Sequence, residues 1–342
     1  MVLSLIISAI VSFITTFVVT PLLIGFLYHA GIVGLDLNKK RKPLLPSSGG
    51  IAVAMGVLTG LLTYVGLQTF VYNQPSLNLV AVTATVLIAM FVGFFDDLNV
   101  KSKRVKTIEG YDIRVGFQRW VKPLLTLPAA IPLMAISAGD TTLAVPFIGT
   151  VDFGILYPLL LVPIGIVGAS NMVNMLGGYN GIEAGMGLIY MFSMGIYALT
   201  TINVISSVVF FISAVALLAF LRYNWFPSKI LPGDSLTYLL GSLVAAGVIV
   251  GNMEKIGLIM MTPFIIQGIL KFYSRVKLGR YASDLGNVDN KGFVQSKYGN
   301  NIFSLTHLVM KLGKFKESHI TLIMMLVQMF FGILPFFVAK YF

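Results

Sequence analysis

Two adjacent carboxylates, Asp96 and Asp97, stand at the junction of an apolar segment and a basic one. The uncharged residues 77–95 before them are long enough to cross a bilayer as one helix. At the C-terminal end of that helix, both acids would meet the negative end of the helix dipole and would repel each other. Positive charge must therefore compensate them. The lysines that follow can do so in a solvated cluster, or a divalent cation can do so together with an anionic substrate, which suits phosphate chemistry.

Amide side chains form a second polar group at the end of another apolar segment. Asn171 and Asn174 are three residues apart, so a helix would place both on one face. Unpaired amides are costly at the edge of the hydrocarbon. Two consecutive glycines then break the helix, and Asn180 and Glu183 add oxygen atoms before the next apolar run. The segment is either a glycine-capped turn or an oxygen-lined site, and its lack of basic residues favours the site.

Asp234 supplies a third signal, directly before the apolar residues 235–251. An aspartate in this place can cap the helix that follows and interact favourably with its dipole. It can also ligate a metal ion. The residue alone leaves both roles open. All three signals lie at ends of apolar runs that simple alternation of spans brings to one membrane face, and this convergence favours a single functional site.

The elements that must position these side chains are membrane helices. Hydrophobic residues make up 57% of the 342 residues and charged residues only 11%, unlike a soluble domain. We expect one all-α polytopic membrane domain over residues 1–342, with about ten transmembrane helices. The first run is uncharged for longer than a signal-peptide core and lacks a basic leader, so we interpret it as a retained span. The apolar runs are residues 2–28, 49–71, 77–95, 120–138, 153–170, 181–200, 204–221, 235–251, 256–270 and 319–339.

The distribution of charge predicts the orientation of these helices. The net charge is +11, but its pattern argues against a nucleic-acid partner. With ten spans, 22 of the 24 lysines and arginines fall in alternate loops, so the positive-inside rule makes those loops cytoplasmic and places both termini outside. The outside residues 139–154 contain two short β-prone runs and predict a small external hairpin. The predicted cytoplasmic loops are about 29–48, 96–119, 171–180, 222–234 and 271–318.

Other features of the composition narrow the chemistry. The absence of cysteine excludes disulfides, cysteine-ligated zinc and thiolate catalysis, and three scattered histidines do not suggest a histidine-rich metal site. The consecutive basic residues 39–42 are either a topology signal or a site for anionic headgroups or phosphates. Gly49 and Gly50 allow close backbone approach at a helix start. The last cytoplasmic loop is the longest polar segment, and we expect it to be a lid or a substrate reader.

Three motifs resemble, in order and spacing, those of the polyprenyl-phosphate N-acetylhexosamine-1-phosphate transferase superfamily, glycosyltransferase family 4. Residues 300–305 with 312–313 resemble its dolichyl-phosphate GlcNAc-1-phosphate transferases from archaea and eukaryotes. Gly177 stands where bacterial members have aspartate, and the triple-histidine segment of the bacterial peptidoglycan enzyme is missing, since His307 is solitary. The motifs are Phe95-Asp96-Asp97 with a downstream lysine, Asn171-x-x-Asn174 with Gly178-Tyr179-Asn180-Gly181, and Gly233-Asp234-Ser235 with Gly241.

The resemblance implies transfer of GlcNAc-1-phosphate from UDP-GlcNAc to a polyprenyl or dolichyl phosphate at the cytoplasmic face, with release of UMP. The product, GlcNAc-diphospho-lipid, would begin lipid-linked oligosaccharide assembly for N-glycosylation. The motifs imply that Asn174 and Asp234 hold Mg2+, or Mn2+, on the pyrophosphate. They imply that Asp96 or Asp97 deprotonates or positions the acceptor phosphate and that Lys106 binds a phosphate. Such roles suit phosphoryl transfer, which needs neutralised charge and in-line positioning.

The resemblance also implies a substrate site. Asn180 would contact uracil, and Asn171 and Glu183 would belong to the same site. The eukaryotic enzymes have an arginine-rich segment in the last cytoplasmic loop, and the local pattern differs here. The candidates for reading the sugar are Arg275, Lys277 and Arg280.

Two alternatives remain at this point. One is a bacterial-type transferase for cell-wall or polysaccharide precursors. The other is a transporter with broken helices near Gly177 and Pro263, which predicts ionisable groups near mid-span, whereas the carboxylates here lie at one face. In each case we expect a multi-pass protein of the cell membrane, or of the endoplasmic reticulum in a eukaryote, and a homodimer stays open.

Overall fold

The structure is a computed structural model that describes residues 2–99, 104–106, 112–114, 117–118, 120–145 and 148–338; for residues 99, 104–106 and 112–114 it describes the backbone only. A 3-10 turn (Leu127–Ala130) separates the helices Val121–Thr126 and Ile131–Ala135, and a π-helical turn (Tyr157–Leu161) leads into the helix Val162–Val173. The helices of this part of the chain are α1 (Val2–His29), α2 (Gly50–Tyr72), α3 (Leu77–Asn99), α4 (Val121–Thr126), α5 (Ile131–Ala135), α6 (Val162–Val173), α7 (Ile182–Thr200), α8 (Val204–Asn224), α9 (Gly233–Ile249), α10 (Glu254–Met260), α11 (Thr262–Leu278), α12 (Leu305–Leu312) and α13 (Glu317–Val338).

Six of these helices are long and apolar enough to cross a membrane, namely α1, α2, α3, α7, α8 and α13. Helices α10 and α11 add a seventh span if the pair, which is bent by 64°, crosses as one unit. The all-α polytopic class is therefore confirmed. The other predicted runs fall on the shorter apolar helices α4–α5, α6 and α9, so the count of ten spans stays a prediction.

Helix α9 is the centre of the bundle, because almost all of its side chains are buried. Glycines let its neighbours approach closely, as expected for Gly50. A Cβ atom on Gly50 of α2 would lie 2.1 Å from a backbone nitrogen of α9, and one on Gly93 of α3 would lie 2.3 Å from the Asp234 carbonyl oxygen. A Cβ atom on Gly241 of α9 would lie 2.3 Å from the α6 backbone. Helices α2, α3 and α6 thus fix the start of α9 and with it Asp234.

The described strands form small antiparallel sheets. The antiparallel pair of residues 142–145 with residues 149–152 confirms the hairpin predicted within residues 139–154. A three-stranded sheet of residues 286–288, 293–296 and 315–316 shows that the long segment after α11 is folded. The pairs are β1 (Val33–Leu35) with β2 (Leu44–Pro46), β3 (Arg104–Lys106) with β4 (Asp112–Arg114), and β5 (Thr142–Val145) with β6 (Gly149–Asp152), and the three-stranded sheet contains β7 (Gly286–Val288), β8 (Phe293–Ser296) and β9 (Phe315–Lys316).

The bundle has two chemically different ends. The loops that carry the sequence signals meet at one end, where the Asn38 amide donates to the Gly178 carbonyl at 2.7 Å. The β5–β6 hairpin lies at the other end, since the Asp140 N–H donates to Asn252 just beyond α9. The α2–α3 connection also lies there, because α3 runs from it to Asp96 at the first end. The single-face convergence of the three signals therefore exists in the fold.

Candidate active site

A cavity of about 450 Å³ opens between the signal-bearing ends of α3, α6 and α9. Loops from four other parts of the chain complete its wall. Its polar lining includes Asp36, Ser47, Asp96, Asp97, Lys122, Asn174, Asn180, Glu183, Asn224, Asp234, Thr237 and Asp284. Its volume falls within the range of small-molecule sites. The structure thus brings together most of the candidates from the sequence.

Asp97 is anchored to the first turn of α9. Its carboxylate accepts the backbone N–H groups of Asp234, at 2.8 Å, and Ser235, at 3.1 Å, and the Ser48 hydroxyl at 2.8 Å. These N–H groups have no partner within their own helix, so a carboxylate from α3 stabilises the start of α9. Asp97 is buried. Its contacts make it a residue that joins α2, α3 and α9.

Asp96 points instead to Lys122, at the start of α4. The Lys122 ammonium contacts the Asp96 carboxylate and lies 2.8 Å from Asp234 Oδ2. One lysine therefore serves two carboxylates from different helices. We call Asp96, Asp97, Asp234 and Lys122 the aspartate cluster. Close pairing of this kind lowers the repulsion between the acids at the cavity wall.

Asp234 faces the cavity rather than capping its own helix. Its Oδ2 accepts from Lys122 and, at 3.3 Å, from the Asn174 amide. The Asn174 amide oxygen accepts from the Thr237 hydroxyl at 2.9 Å and keeps a second lone pair. About 30% of the Asp234 side chain is exposed, so of the three aspartates it is open to a ligand. Asn174 and Asp234 thus lie side by side.

Asn180 is held by a second group of polar side chains, of which Asp36 and Glu317 are buried. Its amide oxygen accepts from Lys39 at 3.0 Å, its amide nitrogen donates to Asp36 at 3.2 Å, and its backbone N–H donates to Glu317 at 2.8 Å. Lys39 in turn contacts Asp36 at 3.2 Å and Glu317. We call Asp36, Lys39, Asn180 and Glu317 the Lys39 cluster. One residue of the basic run 39–42 therefore holds two residues of the cavity wall, Asp36 and Asn180.

Glu183 lies behind the glycine pair that ends α6. Its Oε1 accepts the Gly178 N–H at 2.9 Å, while its buried Oε2 has no partner among the described residues. A Cβ atom on Gly177 would lie 2.4 Å from Glu183 Oε1. The Glu183 carboxylate thus fills the space that a side chain at position 177 would need.

Several candidates lie away from the cavity. Asn171 donates to the Val167 carbonyl at 2.8 Å and so bonds to its own helix. Arg275 contacts Tyr281, with 3.2 Å between Nη1 and the hydroxyl, and its side chain is exposed. The exposed Lys277 and Arg280 also lie outside the cavity lining. Lys106 ends β3, and its side chain lies outside the described part of the chain.

Three charged residues of the cavity wall were not predicted from the sequence. Lys122 is a lone lysine at the start of an apolar run, the same position type that marks Asp234, and this signal would have found it. Asp36 stands three residues before Lys39 in a segment interpreted by charge alone. Asp284 is held by Lys271, at 2.6 Å, and its carbonyl accepts the Tyr179 hydroxyl at 2.9 Å. Burial raises the pKa of Tyr179, which therefore stays a hydrogen-bond donor.

The oxygen atoms of Asp234 and Asn174 are of the kind that bind a magnesium ion. Asp234 and Asn174 present a carboxylate and an amide oxygen, both hard ligands. Among the described residues, no three acidic, histidine or cysteine side chains group at metal-binding spacing. Mg2+ commonly binds one or two protein carboxylates and completes its shell with water and substrate phosphates. The donor set therefore suits a cation that arrives with a phosphorylated ligand.

Comparison with known proteins finds one family model and several relatives, all of them transferases by name. The family model described as glycosyl transferase family 4 matches residues 79–252. The chain is 32% identical over 319 residues to a putative UDP-N-acetylglucosamine–dolichyl-phosphate N-acetylglucosaminephosphotransferase of Sulfolobus acidocaldarius, covering 92% of this chain and 90% of the relative. It is 28% identical to the enzyme of that name from Dictyostelium discoideum, covering 69% and 64%. A phospho-N-acetylmuramoyl-pentapeptide-transferase of Halalkalibacterium halodurans is 31% identical, covering 67% and 68%.

Proposed function

The chain belongs to glycosyl transferase family 4, and from this premise we propose that it transfers GlcNAc-1-phosphate from UDP-GlcNAc to dolichyl phosphate, releasing UMP. The observation that carries the proposal is the convergence of Asp96, Asp234, Lys122 and Asn174 on one cavity. Relatives that cover most of the chain bear the name of this activity. The product would be GlcNAc-diphospho-dolichol, the start of a lipid-linked oligosaccharide.

Gly177 supports the dolichyl-type reaction over its bacterial-type alternative. The bacterial enzymes that the motifs resemble have aspartate at this position. Here a Cβ atom would collide with Glu183 at 2.4 Å, so the pocket is built around glycine. The cavity wall therefore carries its buried carboxylate on α7 instead of on the turn after α6.

Phosphoryl transfer explains why the cavity needs both signs of charge. The donor pyrophosphate and the acceptor phosphate are anionic, and three aspartates would repel them. Lys122 holds Asp96 and Asp234 together and directs its ammonium to the same wall. Asp97 keeps the start of α9 in place, so that Asp234 stays beside Asn174. The chain thus orients the reacting phosphates and stabilises developing charge, which are the main contributions of a protein to this reaction.

We further propose that Asp234 and Asn174 hold Mg2+, or Mn2+, against the donor pyrophosphate. When bound, the ion neutralises phosphate charge that the aspartates would otherwise repel. The Asp96 carboxylate, paired with Lys122, is placed to position the acceptor phosphate or to take its proton.

We propose that the cavity faces the cytoplasm and that all ten apolar runs cross the membrane. The asymmetry of the basic residues supports this orientation. The chain has no native cysteine, so single cysteines can be placed at Asn73 and Asn252 on one end and near Asn180 and Asp234 on the other. An impermeant thiol reagent added to intact cells should label only the first pair. Labelling of the two cavity positions from opposite faces would contradict a single site.

The activity is tested with purified protein, UDP-GlcNAc, dolichyl phosphate and Mg2+, with UMP release as the measurement. Excess EDTA should abolish turnover, and added Mg2+ should restore it. UDP-MurNAc-pentapeptide with undecaprenyl phosphate is the matched alternative pair of substrates. Turnover of that pair alone would contradict the dolichyl assignment, and full activity in EDTA would contradict the metal assignment.

A further inference from the structure

A second cavity, of about 350 Å³, lies at the end of the bundle opposite the aspartate cluster. It opens beside the connection between α2 and α3 and is walled by the first turns of α3 and α8. Its polar lining comes from Tyr64, Gln68, Gln74, Ser76 and Asn78. Eighteen residues of α2 separate Gly50 from Gln68, about 27 Å at the helical rise. The cavity is therefore separate from the one that contains the aspartate cluster.

Gln68 brings to this cavity a buried hydrogen-bond donor that has no acceptor among the described residues. The residue is only 8% exposed, and its side-chain amide nitrogen has no hydrogen-bond partner among the described residues. Its own carbonyl already accepts the Asn73 and Gln74 N–H groups, so the backbone around it is fixed. A buried amide without a partner is costly, and native proteins pair nearly all such groups. A ligand in the cavity could supply the hydrogen-bond acceptor that this amide lacks, because Gln68 belongs to the lining.

The lining defines the chemistry of that acceptor. None of the described residues that line the cavity carries a charge. Its polar groups are the amides of Gln68, Gln74 and Asn78 and the hydroxyls of Tyr64 and Ser76, and leucine, valine and isoleucine belong to the rest of its lining. A charged ligand would lose its hydration there without a charged partner, whereas a neutral one would only exchange hydrogen bonds. The cavity also lies at the ends of the candidate spans α2 and α3, where a lipid headgroup is expected.

We propose that this cavity binds an uncharged, hydroxyl-bearing group, with the Gln68 amide donating to one of its oxygen atoms. A sugar headgroup of a neutral glycolipid and a free sugar share this chemistry. The proposal does not depend on the transferase activity, because the two cavities lie at opposite ends of the bundle.

The test uses the full chain in phosphatidylcholine nanodiscs that contain a monoglucosyl diacylglycerol. Native mass spectrometry after detergent release counts the glucolipid molecules kept by each protein. The wild type should keep glucolipid, and Gln68→Leu should keep about five- to tenfold less, since one or two neutral hydrogen bonds are lost. Asn78→Leu, which removes another amide from the lining, should also reduce retention. Phe70→Leu changes a side chain that is 87% exposed at the same end and should retain glucolipid as the wild type does.

Two further arms identify the source and the charge of the ligand. Phosphatidylglycerol in place of glucolipid should not be retained, and equal retention would overturn the preference for neutral groups. Methyl glucoside binding by saturation-transfer NMR, lost in Gln68→Leu, would support the same site with a free sugar as its ligand. Equal glucolipid retention by wild type and both cavity variants, or no binding of either sugar, would overturn the proposal. UMP release by Gln68→Leu should equal that of the wild type and shows that the variant is folded.

Discussion

The aspartate cluster and the Lys39 cluster both contribute side chains to the lining of the same cavity, yet their charges are arranged differently. In the aspartate cluster, one ammonium contacts two of the three carboxylates, and Asp234 keeps an exposed face. In the Lys39 cluster, Lys39 contacts both acids, and the amide and the backbone N–H of Asn180 are all hydrogen-bonded. The first cluster has three carboxylates for one ammonium and one of them is partly exposed, whereas the second has two carboxylates for one ammonium and both contact it.

This difference suggests that the aspartate cluster takes part in the reaction and that the Lys39 cluster positions the residues around the substrate. An incomplete set of carboxylates beside an open cavity favours a cation and, through it, an anionic substrate. A closed network gains little from a ligand and instead fixes the residues that it contains. We therefore expect substitutions in the aspartate cluster to lower the rate of phosphoryl transfer. Substitutions in the Lys39 cluster should act mainly on substrate binding.

The largest effect is expected for Asp234→Asn. The change keeps the size of the side chain but removes the charge beside Asn174, and kcat should fall by about a hundred- to a thousandfold. UMP release measures it. Asp289→Asn is the matched control, because Asp289 is only partly buried, lies outside the cavity lining and accepts N–H groups of its own turn. Unchanged kcat for Asp234→Asn would make Asp234 a structural residue and remove the contrast between the clusters.

A smaller but still large effect is expected for Lys122→Met. Loss of the ammonium leaves Asp96 and Asp234 facing each other without compensation, so activity should fall about a hundredfold and thermal stability should also fall. Lys106→Met tests the lysine that the motif spacing favours. If Lys106→Met costs more activity than Lys122→Met, the pairing seen at α4 is not the one used in the reaction.

Glu317→Gln tests the closed cluster. The substitution keeps an acceptor for the Asn180 N–H but weakens the contact with Lys39, so Asn180 should lose its fixed position. We expect KM for UDP-GlcNAc to rise about tenfold with little change in kcat. Steady-state kinetics over a range of UDP-GlcNAc concentrations measure KM and kcat separately. A fall in kcat at constant KM would place Glu317 with the aspartate cluster instead.

The smallest effect concerns His307, which belongs to neither cluster. Burial lowers the pKa of His307 below its usual 6.5, and its ring accepts the Phe303 N–H and contacts the Ser283 carbonyl. Because the folded state binds this proton more weakly than the unfolded state, stability should be full above pH 6.5 and should fall as the pH drops below it. Thermal unfolding against pH measures the slope, and His307→Gln should reduce it. An unchanged slope would show that another group dominates.

The sequence predicted the framework of the site better than its pairings. Asp234 and Asn174 were identifiable because each ends or begins an apolar run, and runs of this kind became helices. The contact between Lys122 and Asp234 joins residues 112 positions apart, and no local pattern encodes such a contact. The basic run 39–42 is a second example of a contact that the sequence does not show. Charge alone cannot distinguish Lys39, which contacts Asp36 and Glu317, from the basic residues that follow it. Arg275 and Lys277 were candidates because of their charge, and charge alone could not show that they lie outside the cavity lining.

The bond from Asp97 to the start of α9 has a consequence for biosynthesis. The carboxylate and its N–H partner on Asp234 are 137 residues apart, so α3 leaves the ribosome long before α9 exists. Until then, the two aspartates must stay hydrated at the membrane surface, because burial without partners is costly. A nascent chain that ends before residue 233 would therefore contain the aspartate pair and still lack the site. Insertion of α9 among α2, α3 and α6 is the step at which the cavity forms, late in the synthesis of the chain.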